Sequence, residues 1–251
     1  MKEQTICGCF PTGRHYPGIA HLLRVAARGT GADVDADALW SEQPIAFLDT
    51  ETTGIDPATG DRIVELGIVV GVRGEIVERL NWLINPERPI PDGARAVHGI
   101  SDDDVKDAPV FSTIALAISE AMTGKIPAAY NAPFDKGFVA AELGRSGLAA
   151  DLLPPCMRAE CVWLDPLVWA RELQKYEKGK KLTDVAGRLG IKLDNAHRAS
   201  DDAEAALRVM YALARDPRVP QTYGALIQEQ RRLARAQEDD FRAWRTRNPR
   251  P

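Results

Sequence analysis

The chain has 251 residues, of which 45% are hydrophobic and 27% are charged, a composition typical of a globular protein built around one core. No stretch approaches the about 18 apolar residues of a membrane-spanning helix, and no continuous apolar segment near the start indicates a signal peptide. Four cysteines, which we expect to be reduced, are compatible with this class. A cytoplasmic protein is therefore predicted.

The net charge of -4 is unevenly distributed along the chain. Residues 221–251 contain seven arginines against four acids, so this end is basic and the remainder is acidic. A basic surface is common in proteins that bind nucleic acid. Because the whole chain is mildly acidic, its charge alone does not indicate a class of partner.

Three regions differ in their sequence patterns. Residues 1–43 form an N-terminal extension, in which "PGIAHLLRVAARG" predicts a short helix. Residues 44–215 alternate strand and helix signals, as one folded domain does. The two prolines of "DPRVP" indicate a break, after which residues 216–251 predict a charged helical tail.

Strand signals dominate the first half of the central region. The apolar run "PIAFLDTE" predicts a buried strand. The β-rich stretch "DRIVELGIVVGVRGEIVERLNWLI" predicts a hairpin with Gly74 at its turn. The spacing in "STIALAISEAM" then predicts a helix with Ser112 as its N-cap.

Short strands and helices alternate in the second half. "IPAAYNA" predicts a strand, and "PFDKGFVAAELGRSG" predicts a helix that Pro133 starts and Gly144 or Gly147 ends. "CVWLDPLV" predicts another strand, followed by helices in "LTDVAGRLG" and "SDDAEAALRVMYALARD". This order predicts an α/β layer fold with a mixed sheet flanked by helices.

Acidic side chains stand at the ends of several of these elements. Asp49 and Glu51 are two apart on a strand and so share one face. Asp135 and Asp202 each lie on the first turn of a predicted helix, and His197 precedes Asp202 by five residues. Sites in α/β sheets form at strand ends and helix starts, but sequence order alone does not show that these residues converge.

Four carboxylates in one cleft would repel each other unless divalent cations neutralised them. Mg²⁺ and Mn²⁺ prefer such oxygen ligands. Two such ions about 3.5–4 Å apart can hold the attacking and leaving oxygens of a phosphodiester displacement.

Four motifs in this order, "FLDTETTG", "VHGI", "NAPFD" and "HRASDDA", resemble the DnaQ-like superfamily of 3′–5′ exonucleases in its DEDDh branch. The resemblance covers residues 44 to 214 and implies a ribonuclease H-like fold with two Mg²⁺ or Mn²⁺ ions. It assigns Asp49, Glu51 and Asp202 as the inner metal ligands, and Asp135 as support for the second ion, partly through water. His197 matches the general base that deprotonates the attacking water, which suits an unperturbed pKa of about 6.5.

The same resemblance implies the contacts to the terminal nucleotide. The main chain around Thr52 would meet its 3′-hydroxyl, and His98 with Val97 would line its base and sugar. Asn131 and Phe134 would shape the cleft beside Asp135. For Phe134, plain core packing is an equally good interpretation.

Each of these residues also has a simpler interpretation. Asp49 and Glu51 could cap a turn, Asp202 could only stabilise a helix start, and His197 could lie at the surface. A DxDxT phosphatase motif is rejected because Glu51 replaces its second aspartate and the later motifs would have no role. The joint occurrence of the motifs favours the exonuclease.

The predicted activity is release of mononucleotides from the 3′ end of single-stranded DNA, in proofreading or repair. Two alternatives remain: an exoribonuclease that trims RNA ends, and a non-catalytic nucleic-acid-binding module. The C-terminal tail is predicted to bind nucleic acid, a polymerase, or another replication or repair protein; the alternative is a solvated helix packed on the domain.

The four cysteines have two interpretations. Cys7, Cys9, Cys156 and Cys161 could provide the four ligands of a structural zinc ion. Their spacings match no standard zinc finger, so ordinary reduced thiols are the other interpretation.

Overall fold

The computed structural model describes residues 34–148, 153–193 and 198–248. His197, the helix predicted in "PGIAHLLRVAARG", Cys7 and Cys9 lie outside these ranges. The strands are β1 (Ile45–Thr52), β2 (Ile63–Val72), β3 (Glu75–Leu83) and β4 (Ile126–Ala128). The helices are α1 (Asp92–His98), α2 (Asp102–Val105), α3 (Phe111–Met122), α4 (Ala132–Arg145), α5 (Pro166–Leu173), α6 (Leu182–Arg188), α7 (Ala199–Leu213) and α8 (Tyr223–Arg247).

The four strands form one mixed sheet in the order β3-β2-β1-β4. β1 and β3 are antiparallel to β2, whereas β4 runs parallel to β1. The β2–β3 hairpin turns at Arg73 and Gly74, whose φ angles of 55° and 84° suit a two-residue turn of the type that favours glycine. The mixed sheet and the hairpin are both confirmed.

The side chains of β1 point alternately into two hydrophobic cores, one on each face of the sheet. Ile45 and Phe47 belong to a core with α5, α6, α7 and α8, on what we call the first face of the sheet. Ala46 and Leu48 belong to a core with α3 and α4 on the second face. Side chains of a strand alternate between faces, so the sheet is covered by helices on both sides.

Glycines of β2 allow helix α7 to pack closely against the first face. A Cβ atom at Gly67 would clash with the backbone of Ala199 and Ser200, and one at Gly71 would clash with Leu207. Gly67 is the cross-strand neighbour of Asp49. The start of α7 therefore lies against the sheet beside the acidic end of β1.

The strand predicted in "CVWLDPLV" is wrong, because residues 161–163 form no strand. Leu164 makes an isolated parallel bridge with Ala128, and helix α5 then begins at Pro166. Asp165 accepts a hydrogen bond from the Leu167 amide and so caps this helix. An Asp-Pro pair is a helix start signal, and it overrides the β-rich composition of the run.

One helix prediction also needed correction, and two short helices were missed. α3 begins at Phe111 after Val110, so Ser112 is inside the helix and is not its N-cap. The short helices α1 and α2 were not predicted, because "PDGARAVHGISDDDV" contains few apolar positions with helical spacing.

The C-terminal helix α8 has two halves of different character. Tyr223, Leu226, Ile227 and Leu233 are buried in the first-face core, at the spacing of one helix face. From Glu238 onward every described residue is exposed. The predicted helix is confirmed, and its first half is part of the core. Among the described residues, no helix is both long and apolar enough to cross a membrane.

Candidate active site

Three carboxylates meet where β1 ends. Asp49 and Glu51 continue the first face of β1, and Asp202 lies in the first turn of α7, which packs on that face. One carboxylate oxygen from each residue lies within 4.8 Å of the other two. The structure thus brings Asp202 to two residues that lie about 150 positions earlier in the sequence, at a spacing that one cation could bridge.

Asp135 approaches the same strand end from the second face. It lies in the first turn of α4 with 2% of its surface exposed. One of its oxygens accepts hydrogen bonds from the backbone amide and the hydroxyl of Thr50, at 3.0 and 2.8 Å. Because Thr50 stands between Asp49 and Glu51, this contact holds Asp135 against the strand that carries both of them.

The carboxyl groups are difficult to ionise together. Burial, and then the charges of Asp135, Asp202 and Glu51, raise the pKa of Asp49 well above its usual value. Burial and the charge of Asp202 raise the pKa of Glu51 to about 8. Burial also raises the pKa of Asp135 to about 7, although its hydrogen bonds with Thr50 oppose the increase. A bound cation would relieve this repulsion.

Thr52 and His98 occupy defined positions. The β1–β2 register shifts between Glu51 and Thr52, and the Thr52 hydroxyl donates to the Gly54 carbonyl at 2.6 Å. His98 ends α1 and is 6% exposed, and its Nδ1 accepts from the Ile100 amide at 3.0 Å. That bond places the proton of a neutral His98 on Nε2.

The other predicted substrate contacts differ in exposure. Val97 is 56% exposed. Asn131 is exposed and precedes α4 with a φ of 67°. Phe134 is partly buried against the second-face core, with its ring 4.9 Å from that of Phe138. The contacts of Phe134 agree with core packing. Because part of its side chain is exposed, a role in shaping the cleft is still compatible with its position and stays a prediction.

Two buried acids that the sequence analysis did not assign support the site. Asp165 is 5% exposed and accepts from the amides of Asn131 and Ala132 at 3.0 and 3.1 Å, at the start of the helix that carries Asp135. Burial raises the pKa of Asp165 to about 6, against the effect of these bonds. Glu65, on β2, is fully buried beside α7. The sequence signal for Glu65 was an acid inside the apolar run "IVELGIVV".

Cys156 and Cys161 are both buried thiols. Burial raises the pKa of Cys161 to about 12, which favours the protonated thiol over the thiolate that zinc requires. In the described part of the chain, the group that could hold a metal ion is the carboxylate cluster. Since Cys7 and Cys9 lie outside this part, the zinc site remains a prediction.

The family model for RNase_T exonucleases matches residues 46–210 of this chain. The chain therefore belongs to the RNase_T exonuclease family, which confirms the resemblance seen in its motifs. It is 34% identical over 164 residues to the 3′-5′ exonuclease DinG of Bacillus subtilis, covering 65% of this chain and 17% of DinG. It is 41% identical over 128 residues to DNA polymerase III subunit epsilon of Rickettsia felis, covering 51% of this chain and 54% of that subunit.

Solved structures share the fold at low sequence identity. Exonuclease X in complex with 5′ overhanging duplex DNA aligns with a TM-score of 0.55 at 21% identity, covering 73% of this chain and 99% of that one. The nuclease domain of 3′hExo, a DEDDh family member bound to rAMP, aligns with a TM-score of 0.59 at 20% identity, covering 70% and 94%. These alignments confirm the ribonuclease H-like fold.

Proposed function

We propose that this chain is a metal-dependent 3′–5′ exonuclease that releases 5′-mononucleotides from single-stranded DNA. The observation that carries the proposal is the convergence of Asp49, Glu51 and Asp202, with Asp135 held on Thr50, in a member of an exonuclease family. DNA is the first choice of substrate because the similar proteins include an epsilon subunit of DNA polymerase III.

The carboxylate cluster fits Mg²⁺ or Mn²⁺. It offers only oxygen ligands, and burial followed by mutual repulsion raises the pKa values of Asp49 and Glu51, an effect that a bound cation would oppose. In our proposal, Asp49, Glu51 and Asp202 would hold the inner ion, and Asp135 would support a second one. Two bound ions would supply charge stabilisation for the attacking and leaving oxygens of the phosphodiester.

The remaining residues would position the substrate and move a proton. His197 would accept the proton of the attacking water. The main chain at Thr52 would contact the terminal 3′-hydroxyl, and His98 would line the terminal nucleotide. Val97 and Asn131 would border the cleft, beside Phe134.

An RNA end is the second candidate substrate. The structural neighbour 3′hExo was solved with rAMP, a ribonucleotide, bound. Selection between the two sugars depends on contacts to the 2′ position. Two biological roles are compatible with this activity: proofreading within a polymerase, and repair by a free-standing enzyme.

Digestion of 5′-labelled DNA and RNA oligomers, with Mg²⁺, Mn²⁺ or EDTA, tests the activity. We expect a DNA ladder that shortens from the 3′ end and requires the metal. Asp49→Asn, purified in parallel, controls for contaminating nucleases. Internal cuts or digestion in EDTA would contradict the proposal. Faster RNA digestion would establish the exoribonuclease, and binding without hydrolysis would indicate the non-catalytic module.

We further propose that the exposed end of α8 binds the strand upstream of the site. Phe241 and Trp244 are 52% and 54% exposed, with near-parallel rings at 6.1 Å. The Arg245 guanidinium lies 4.4 Å from the Phe241 ring centre. Phe241 also lines a cleft of about 710 Å³ that Asn131 and Pro133 border. Aromatic rings beside arginines are suited to unpaired bases.

Substitution is the appropriate test of this end, because deletion from Gln221 would remove core residues. The double variant Phe241→Ala/Trp244→Ala should raise KM for long strands about tenfold, the effect of losing one stacked base, and spare short oligomers. Tyr176→Ala, which removes a 90% exposed ring elsewhere, is the control. If KM for long strands is unchanged, this end does not bind the strand. Loss of binding to a polymerase instead would assign it to a protein partner.

A further inference from the structure

Glu65 makes an unusual set of contacts for a residue in the middle of a strand. It is fully buried and lies on the first face of β2. Its carboxylate accepts from Arg198 Nη2 at 2.6 Å and from Arg198 Nε at 3.2 Å. It also accepts from Asn81 Nδ2 at 2.9 Å and from the Ala199 amide at 3.2 Å. One carboxylate therefore connects β2, β3 and the start of α7.

These contacts hold the segment that carries the acidic and basic groups of the candidate site. Ala199 is the first residue of α7, and Asp202 lies three positions later. Arg198 directly follows His197 in the sequence. In the sheet, Glu65 is the cross-strand neighbour of Glu51. A shift of the helix start away from Glu65 would therefore move Asp202 relative to Asp49 and Glu51.

We propose that Glu65 and Arg198 form a positioning pair that fixes the start of α7, and with it the distance from Asp202 to Asp49 and Glu51. The pair does not touch the reacting atoms in this proposal. This positioning role rests on the proposed function, because that function makes Asp202 a metal ligand. Partners of metal ligands commonly affect metal affinity or activity about 10–100-fold.

A purely structural ion pair is the competing explanation, and the chain contains a matched control for it. Glu142, on α4, is 1% exposed and accepts from Arg62 Nε at 2.7 Å and Nη2 at 3.0 Å. It also accepts from the Ile63 amide at 3.3 Å. Like Glu65, Glu142 is buried and accepts hydrogen bonds from two nitrogens of one arginine and from one backbone amide. Unlike Glu65, it makes none of these bonds with the start of α7.

The test compares Glu65→Gln and Glu142→Gln by melting temperature and by Mn²⁺ titration. We expect both variants to melt at lower temperature. Only Glu65→Gln should bind Mn²⁺ more weakly, by about 10–100-fold, with a similar loss of kcat and little change in KM. Arg198→Lys, at a half-exposed side chain, should weaken Mn²⁺ binding in the same direction if Glu65→Gln does not fold.

Amide hydrogen exchange gives a measurement that does not depend on activity or metal. Glu65→Gln should accelerate exchange in the first turn of α7, and Glu142→Gln should not. If Glu65→Gln exchanges faster in α7 but the wild-type protein hydrolyses no oligomer, the positioning pair is supported and the proposed function is rejected. Wild-type exchange in α7 together with wild-type Mn²⁺ affinity in Glu65→Gln would overturn the pair.

Discussion

Replacing Asp202 with alanine is expected to abolish metal binding and hydrolysis together. Asp202 supplies one of the three carboxylates that lie within 4.8 Å of one another, so its loss leaves two acids to hold the cation. Mn²⁺ titration and digestion of a labelled oligomer measure the two effects on the same protein. Asp49→Ala should give the same paired loss.

Asp201→Ala is the matched control. Asp201 is the adjacent acid in the same helix turn, and it lies 3.8 Å from Arg79 instead of in the cluster. We expect this variant to keep wild-type Mn²⁺ affinity and kcat, with only a small loss of helix stability. If Asp201→Ala and Asp202→Ala are equally inactive, the general charge of the helix start matters more than ligation, and the assignment of Asp202 is wrong.

His197→Ala should separate the proton acceptor from the metal ligands. The carboxylates remain in place, so Mn²⁺ affinity should stay near the wild-type value. The rate should fall about 10²–10⁴-fold, the contribution of a positioned base. Part of the lost rate should return as pH rises, because hydroxide then needs no base. A variant that cleaves as fast as wild type, or loses Mn²⁺ as Asp202→Ala does, would rule out the general-base role.

The sequence was sufficient for the parts of the site that local pattern determines. Asp49 and Glu51 had to share a face because strands alternate, and Asp202 had to lie at a helix start because of the pattern that follows it. The meeting of β1 and α7 depends on Gly67, whose missing side chain allows the close approach. No local pattern identifies such a contact between distant segments.

The supporting residues were missed for the same reason. Glu65 and Arg198 are 133 positions apart, and Asp165 is 34 positions from the Asn131 amide that it binds. Gln230 of α8 accepts from the Asp165 amide at 2.9 Å, a contact across 65 positions. The many charged residues of α8 also made the buried face of its first half difficult to recognise in the sequence. The only sequence feature that indicates such a long-range polar contact is an acidic residue within an apolar run.

Stability without divalent cations is expected to fall as the pH rises from about 6 to about 8.5, because the pKa values of the cluster are raised by folding. In the unfolded chain, Glu51 and Asp135 ionise near pH 4. In the folded chain, their pKa values are about 8 and about 7. Between these limits the unfolded chain has lost protons that the folded chain retains, so each increase in pH favours unfolding.

Mg²⁺ should reverse this loss, and most strongly at the higher pH. A cation binds the ionised cluster, so it competes with more protons at pH 6 than at pH 8.5. Melting temperatures in EDTA and in Mg²⁺ at both pH values measure the effect. Glu51→Gln removes the group with the pKa of about 8, so its melting temperature in EDTA should depend less on pH. If the melting temperature in EDTA rises over this range, or if Mg²⁺ stabilises the protein equally at both pH values, the cluster does not carry the repulsion that a metal would relieve.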